Sequence, residues 1–312
     1  MKNEPDGIRA PHGRKRGCRY WRNLLLAGLA ASLAGCLFLS YIAFPIIQAN
    51  SVAHPKRAPV CCVTPADLGF AYEDVAFGTS DGLTLRGWYI PSQNRAAVIV
   101  THGVAGNRVG HLDQAAALAG RGFGVLLLDL RAHGHSDGST ITFGGEDIRA
   151  AAAYLQTRSD VDPERIGAMG LSLGGSAVLQ AAARSDAIRA VVADGPGPAT
   201  YRDWPYPEDL LGWIYAPFDW VWFKVLEREG VTAPRATLDV IADIAPRPIL
   251  LISGTSSSLE GQFVRQYFEA AGEPKELWEI PEAGHAQTWA ARPEEYADRI
   301  IRFFDRALLG SP

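Results

Sequence analysis

The sequence predicts an α/β domain with a mostly parallel central sheet and helices on both faces, preceded by one transmembrane helix. Among its 312 residues, short continuous apolar runs alternate with helix-forming stretches, which is typical of buried parallel strands. Around Ser172, a strand, a tight glycine-rich turn and a helix follow one another. Two earlier runs separated by residues 78–82 predict an antiparallel hairpin at one edge of the sheet.

A basic segment followed by an uncharged apolar segment begins the chain. Residues 1–23 carry a clear excess of basic over acidic side chains, and residues 24–49 carry no charge. About 20 apolar residues suffice to cross a bilayer as a helix. We therefore predict a basic tail (1–23), a transmembrane anchor (24–49) and a linker (50–65). The positive-inside rule places the tail in the cytoplasm and the residues after the anchor outside it.

Three other interpretations of the apolar segment stay open. A cleaved signal peptide has the same order of charge and hydropathy, but its apolar region is shorter and ends at a small-residue site. Residues 33–36 resemble a lipoprotein signal ending at Cys36, yet the chain after Cys36 remains apolar. A buried core helix is disfavoured by the length of the segment and its basic flank.

The remaining chain, residues 66–312, predicts one domain. Apolar runs predict strands at residues 72–77, 83–90, 96–100, 123–128, 165–169, 188–193, 248–253 and 275–280. Helical patterns occupy residues 111–120, 146–158, 176–183, 260–271 and 293–309.

Residues 195–244 interrupt the alternation and hold four of the eight tryptophans of the chain. This insertion is predicted to form a cap over the sheet. Its aromatic side chains could enclose an acyl chain or enter the bilayer interface, where Trp and Tyr are favoured. A small satellite core beneath a long loop is an equally reasonable interpretation.

Composition argues against several function classes. With 30 basic and 34 acidic residues and a net charge of −4, nothing indicates a nucleic-acid partner. The four cysteines do not form a disulfide framework, since Cys61 and Cys62 are adjacent and Cys18 and Cys36 lie in or before the apolar segment. No histidine or cysteine spacing suggests a zinc site, so we predict neither a metal nor a cofactor.

The pattern Gly-x-Ser-x-Gly, formed by Gly170, Ser172 and Gly174, predicts a nucleophile elbow. The serine would occupy a strained turn, where a Cβ at either glycine would collide with the adjacent strand or helix. This turn exposes the Ser172 hydroxyl and directs the Leu173 amide toward a reacting oxygen. An ordinary glycine-rich turn containing a serine is the alternative.

His285 is the predicted base for Ser172. It lies in the loop after the last strand, and functional loops of parallel sheets lie at the carboxyl ends of the strands. His102, His133 and His135 lie in turns, where histidines more often shape a loop through hydrogen bonds.

The loop of residues 102–107, which follows the first parallel strand, is predicted to supply a second oxyanion donor. Its glycines allow the backbone to approach a substrate, and the Val104 amide would act together with that of Leu173. If the elbow were absent, we would interpret this loop as an ordinary strand-to-helix turn.

The ordered motifs of this chain resemble those of the α/β-hydrolase superfamily, in particular membrane-anchored bacterial serine hydrolases and their lysophospholipase-like and serine-peptidase-like relatives. They are His102-Gly103, Asp129-x-Arg131-x-x-Gly134-x-Ser136, Gly170-x-Ser172-x-Gly174-Gly175 and Gly284-His285. The resemblance covers about residues 70–309. It implies an α/β-hydrolase fold, Ser172 as nucleophile, His285 as base, and the Val104 and Leu173 amides as the oxyanion hole.

One position departs from the family pattern. The family acid stands about three residues after the glycine that ends the strand at 248–253, and this chain has Ser257 there. Glu260 could reach His285 from the same loop, Asp194 could act as the acid after the preceding strand, or no acid is present. We predict Glu260, for which a solvated glutamate at a helix N-terminus is the alternative.

Together these observations predict a cofactor-free serine hydrolase that cleaves a lipid or small acyl ester through an acyl-enzyme. A peptidase of the same fold is the nearest alternative. A catalytically impaired protein that binds a ligand is a further alternative, raised by the missing aspartate.

Overall fold

The computed structural model describes residues 14–204, 210–254 and 258–310. Its centre is an eight-stranded sheet with the spatial order β1-β2-β4-β3-β5-β6-β7-β8. The strands are β1 (Glu73–Gly78), β2 (Thr84–Ile90), β3 (Ala97–Thr101), β4 (Gly124–Asp129), β5 (Ile166–Leu171), β6 (Ala190–Asp194), β7 (Ile249–Gly254) and β8 (Lys275–Ile280). The predicted strands therefore all occur, with ends displaced by at most two residues.

The order of the strands creates a switch point at the centre of the sheet. β2 pairs antiparallel with β1 and β4, and strands β3 to β8 are parallel. The chain passes from β3 to β4 in one direction and from β5 to β8 in the other, so β3 and β5 are neighbours. Loops that leave adjacent strands at such a point diverge and open a crevice, which is where ligands bind in open α/β sheets.

Helices cover both faces of the sheet. They are α1 (Arg14–Phe38), α2 (Phe44–Ala53), α3 (Leu112–Gly120), α4 (Glu146–Gln156), α5 (Leu173–Ala182), α6 (Leu210–Arg228), α7 (Thr237–Val240), α8 (Ser258–Ala270), α9 (Thr288–Ala291) and α10 (Pro293–Phe304). Helical turns of other types occupy Leu39–Ala43, Pro65–Leu68, Arg108–His111, Tyr201–Asp203, Ile241–Ile244 and Asp305–Leu309.

Alternating side chains of the strands enter two separate cores. Ile99 of β3 packs in the core formed with α4, α5 and α8, and the neighbouring Val98 and Val100 pack in the core formed with α3 and α10. Both faces of the sheet are covered by helices and shielded from solvent, which explains the continuous apolar runs in the sequence. The predicted fold class is confirmed.

The N-terminal helix is longer than the predicted anchor. α1, the turn Leu39–Ala43 and α2 form one continuous helix that ends at Ala53, within the predicted linker. Its stretch Arg19–Ala53 is long and apolar enough to cross a membrane. The predicted tail overlaps this helix from Arg14 onward, and residues 1–13 lie outside the described residues.

The last part of this helix belongs to the folded domain. Pro45, Ala49 and Ala53 of α2 are buried, and α2 packs along α6. The helix thus continues past the boundary expected at residue 50, and its last turns contact the folded domain instead of solvent.

The predicted insertion is organised around α6. Phe223 is buried at the edge of the main core, and Trp204 and Trp222 pack against it. Trp213 and Tyr215 are exposed. Tyr206, counted in the predicted aromatic cluster, lies outside the described residues. The insertion thus packs part of its aromatic side chains on the main core and leaves others exposed.

Candidate active site

Ser172 lies in the sharp turn between β5 and α5. Its φ of 53° and ψ of −113° are strained for a non-glycine residue, as a nucleophile elbow requires. The Ser172 amide donates a hydrogen bond of 2.8 Å to the Asp194 carbonyl oxygen. A Cβ on Gly170 would lie 2.3 Å from backbone atoms of Gly174, so only glycine permits this close approach of strand and helix. The requirement for glycine at these positions can therefore be predicted from the sequence.

His285 connects Ser172 to a carboxylate. Its Nε2 lies 3.0 Å from Ser172 Oγ, and its Nδ1 lies 2.8 Å from Glu260 Oε2. The three side chains come from the turn after β5, the loop after β8 and the first turn of α8. Because the carboxyl ends of parallel strands share one edge of the sheet, distant sequence segments meet there.

Glu260 is held in place from behind. Its carboxylate is buried, and Oε1 accepts a hydrogen bond of 2.7 Å from the Gly254 amide at the end of β7. This contact leaves Oε2 directed at the imidazole. A solvated glutamate, the alternative weighed from sequence, does not fit this burial. Ser257, which replaces the family aspartate, lies outside the described residues.

Asp194 has other partners. Its Oδ2 accepts hydrogen bonds from Thr288 Oγ1 and from Tyr296 Oη, the latter at 2.8 Å. The side chain is fully enclosed, and burial raises its pKa to about 6. Among the described side chains, Glu260 is therefore the carboxylate hydrogen-bonded to His285, and Asp194 lies behind the site.

Two histidines hold the loop of residues 102–107. His102 Nδ1 donates to the Gly103 carbonyl oxygen at 2.8 Å and Nε2 accepts from the Leu130 amide at 3.2 Å. His133 Nε2 accepts from the Ala105 amide at 3.2 Å. Burial lowers the pKa of both imidazoles, to about 3 for His102, so each remains a neutral acceptor. They shape the loop, as their turn positions predict.

The fixed loop lies against the elbow. A Cβ on Gly103 would be 3.1 Å from Ser172 Cβ, which shows how closely the two backbones approach. Val104 and Leu173, the predicted oxyanion donors, line one cavity with Ser172. The structure therefore brings both expected donor residues to the serine.

The turn after β4 is braced by buried ion pairs. Asp129 accepts hydrogen bonds from the Arg108 amide (2.8 Å) and Arg108 Nε (3.1 Å), and from the His135 amide (2.9 Å). Arg131 Nε donates to Asp147 Oδ1 at 2.8 Å. These hydrogen bonds brace the turn, and none of them involves Ser172.

A cavity of about 520 Å³ opens beside Ser172, and its lining is mainly apolar. One wall is made by Phe218 and Trp222 of α6. Another part of the wall comes from the N-terminal helix, through Ile47, Gln48, Ser51 and Val52. Sequence reasoning missed this wall. The uncharged helix is longer than a bilayer needs, and that excess length was the available signal.

No group of three His, Cys, Asp or Glu side chains among the described residues could hold a metal ion. The cysteines at positions 36, 61 and 62 are free.

Comparisons with known proteins place the chain among α/β hydrolases. A family model for the alpha/beta hydrolase fold matches residues 96–221. The uncharacterized Mycobacterium tuberculosis protein Rv2307c is 31% identical over 272 residues, which cover 84% of this chain and 89% of that protein. The alpha/beta hydrolase domain-containing protein WAV2 of Arabidopsis thaliana is 27% identical, covering 91% of this chain and 92% of that protein.

Solved structures agree. The Pyrococcus furiosus esterase Pf2001 superposes with a TM-score of 0.66 and 29% identity, covering 82% of this chain and 98% of that chain.

Proposed function

The chain belongs to the α/β-hydrolase family, and on that premise we propose that it is a serine hydrolase that cleaves a carboxylic ester of a lipid or small acyl group. The observation that carries the proposal is the unbroken hydrogen-bond series from Ser172 Oγ through His285 to Glu260. The series opens into a mainly apolar cavity, which suits an acyl group better than a charged one.

In the proposed mechanism, Ser172 Oγ attacks the ester carbonyl carbon while His285 Nε2 takes the hydroxyl proton. The tetrahedral oxyanion accepts hydrogen bonds from the Val104 and Leu173 amides. His285 then gives its proton to the departing alcohol, which leaves an acyl-enzyme. Water, deprotonated by the same imidazole, releases the acid.

Glu260 stabilises the imidazolium that forms twice in this cycle. Its negative charge favours protonated His285, and its fixed oxygen keeps Nε2 directed at the serine. A glutamate from the first turn of α8 thereby takes the role that the family assigns to an aspartate nearer the strand.

We propose further that the N-terminal helix anchors the enzyme in a membrane. The apolar stretch Arg19–Ala53 and the basic residues before it support an anchor with a cytoplasmic N-terminus and an extracytoplasmic catalytic domain.

The test is labelling of the purified full chain with a fluorophosphonate, compared with Ser172→Ala and with Ser80→Ala. Ser80 lies in the exposed hairpin turn and serves as the matched control. We expect labelling and ester hydrolysis in the wild type and in Ser80→Ala, and neither in Ser172→Ala. Hydrolysis that survives Ser172→Ala would contradict the nucleophile assignment. A well-folded wild type that does not react would favour a non-catalytic binding protein.

A further inference from the structure

The N-terminal helix and α6 lie side by side and run in the same direction. The rings of Phe44 and Phe218 are in contact, with centroids 5.9 Å apart. Further along, His54 Nε2 lies 3.2 Å from Glu229 Oε2. The offset in numbering between the two pairs is nearly constant, so the helices advance together. α6 also contacts the turn Leu39–Ala43.

This register determines which part of the N-terminal helix lies level with the start of α6. The first two turns of α6, residues 210–217, precede Phe218 and extend the contact toward residues 36–43. That part of the N-terminal helix belongs to the stretch long and apolar enough to cross a membrane. No Asp, Glu, Lys or Arg occurs between Arg22 and Lys56. Residues 210–217, the α6 tip, therefore lie at the depth where the apolar helix leaves a bilayer.

The side chains of the α6 tip suit that depth. Leu210 is 75% exposed, Trp213 79% and Tyr215 58%. Along the exposed side of α6, the first charged residue among the described side chains is Lys224. Soluble surfaces seldom expose so many adjacent large apolar groups, whereas Trp and Tyr are favoured where a bilayer meets water.

The cavity beside Ser172 opens between the same two helices. Ile47 and Ser51 line it from the N-terminal helix, and Phe218 and Trp222 line it from α6. Phe218 directly follows the α6 tip, and the other three residues lie within roughly two turns of it along the helices. A molecule that leaves the bilayer between the helices would therefore move along a mainly apolar path to the serine, past the polar Gln48 and Ser51 and the buried Asp219.

We propose that the α6 tip enters the same leaflet as the N-terminal helix, and that the substrate is a long-chain acyl ester of a membrane lipid drawn from that leaflet. The proposal rests on the proposed serine hydrolase activity. The acyl chain passes between the two helices into the cavity, and its ester carbonyl comes to rest at Ser172. Because the exposed tip is continuous with the apolar helix, we expect the bilayer, and not a protein partner, to cover it.

The activity test compares two esters on the full chain in phosphatidylcholine nanodiscs. 1-Oleoylglycerol in the disc is the membrane substrate, and p-nitrophenyl butyrate is the soluble one. The double variant Trp213→Asp, Tyr215→Asp places charge at the tip. We expect it to lower hydrolysis of 1-oleoylglycerol about tenfold, because charge is disfavoured at the bilayer, and to leave hydrolysis of the soluble ester unchanged.

Leu68→Asp is the matched control. Leu68 is an exposed apolar residue in a turn that contacts α3, on the other face of the sheet. This variant should hydrolyse both esters at the wild-type rate, and an equal loss in it would overturn the proposal. A wild type that cleaves the soluble ester but not 1-oleoylglycerol would also overturn it, while the proposed hydrolase activity would stand.

A fluorescence test is independent of catalysis. Nanodiscs of brominated phosphatidylcholine quench tryptophans that reach the bilayer. We expect Trp213→Phe to remove a quenched component that the wild type shows, in the presence or absence of Ser172→Ala. Equal quenching in wild type and Trp213→Phe would overturn insertion of the tip and indicate another occupant, such as a protein partner. An inert enzyme whose tip is quenched would contradict the proposed function alone.

Discussion

The imidazole of His285 lies between a serine hydroxyl and a buried carboxylate, and these neighbours set its protonation. The hydrogen bond that His285 donates to Glu260 raises the pKa of His285 above its ordinary value of 6.5, burial opposes this shift, and the charges of Glu260 and Asp194 add to it. Glu260 is itself held by the Gly254 amide, so the carboxylate does not need to move during proton transfer. The group that tunes the base is thus fixed before a substrate arrives.

Glu260→Gln tests this tuning. The amide keeps the size of the side chain but removes the charge that stabilises the imidazolium, and it can also select the wrong imidazole tautomer. We expect kcat to fall about 10⁴-fold, as for comparable triad acids. Asp194→Asn is the comparison variant and should cost far less, because Asp194 bonds to Thr288 and Tyr296 instead of to the imidazole. Kinetics on a soluble ester measure both.

The same variants predict a change in the pH profile. The base must be neutral, so activity declines as the pH falls through the pKa of His285, and in the wild type this decline is centred above 6.5. Glu260→Gln removes the largest cause of the raised pKa, so its remaining activity should persist to lower pH. A profile of kcat/KM that does not move, or one that Asp194→Asn moves further, would contradict the assignment of the acid.

In the unit formed by β5, the elbow and α5, the backbones of strand and helix are in direct contact, with no side chain between them. Gly170 and Gly174 lie where the helix crosses the strand, and Gly174 also abuts the His102 carbonyl oxygen of the neighbouring loop. The strained φ of Ser172 is maintained by this packing on both sides. The strain is confined to the turn, but the packing that maintains it comes from β5, α5 and the loop that contains His102.

Gly170→Ala should therefore destabilise the whole domain. Its Cβ would meet Gly174 backbone atoms at 2.3 Å, which neither element can relieve, and overpacking of this kind costs about 1–3 kcal/mol or more. Gly120→Ala, at the end of α3 with open space around its Cβ, should be neutral or slightly stabilising. Urea unfolding in detergent compares the two variants, and equal midpoints would contradict this account of the elbow.

The molecule as a whole joins the apolar helix to the hydrolase domain through its last turns. α2 buries Ala49 and Ala53 in the main core. The Ile141 amide donates to the Ala53 carbonyl oxygen at 3.0 Å, and Arg57 donates to carbonyl oxygens of the turn after β4. The N-terminal helix therefore has two roles: its apolar stretch is the proposed membrane anchor, and its last turns form part of the cavity wall.

Truncation separates these two roles. A chain that starts at Phe44 keeps α2 and should retain fluorophosphonate labelling. A chain that starts at Lys56 lacks α2, which exposes α6 and opens the cavity. Loss of this apolar burial costs roughly 3 kcal/mol, so we expect a Tm at least about 6 °C lower than that of the longer chain. Equal Tm values and equal labelling would show that α2 is dispensable.

Several features of this protein followed from local patterns. Continuous apolar runs identify strands buried on both faces, glycines around Ser172 identify the elbow, and an uncharged stretch identifies the apolar helix, because each pattern reflects the immediate surroundings of its own residues. Even His285 followed from the rule that functional loops leave the carboxyl ends of parallel strands.

Tertiary structure decided what depends on contact between distant segments. Sequence left Glu260 and Asp194 as rival acids, since both follow strands that end at the same edge of the sheet. Only packing directs one toward His285 and encloses the other beside Tyr296. The wall supplied by α2 was missed for a similar reason, since the length of the apolar helix can be read from the sequence but its contact with α6 cannot. An apolar helix has the same kind of sequence whether it is covered by lipid or by α6. Which of the two covers it depends on the path of the whole chain.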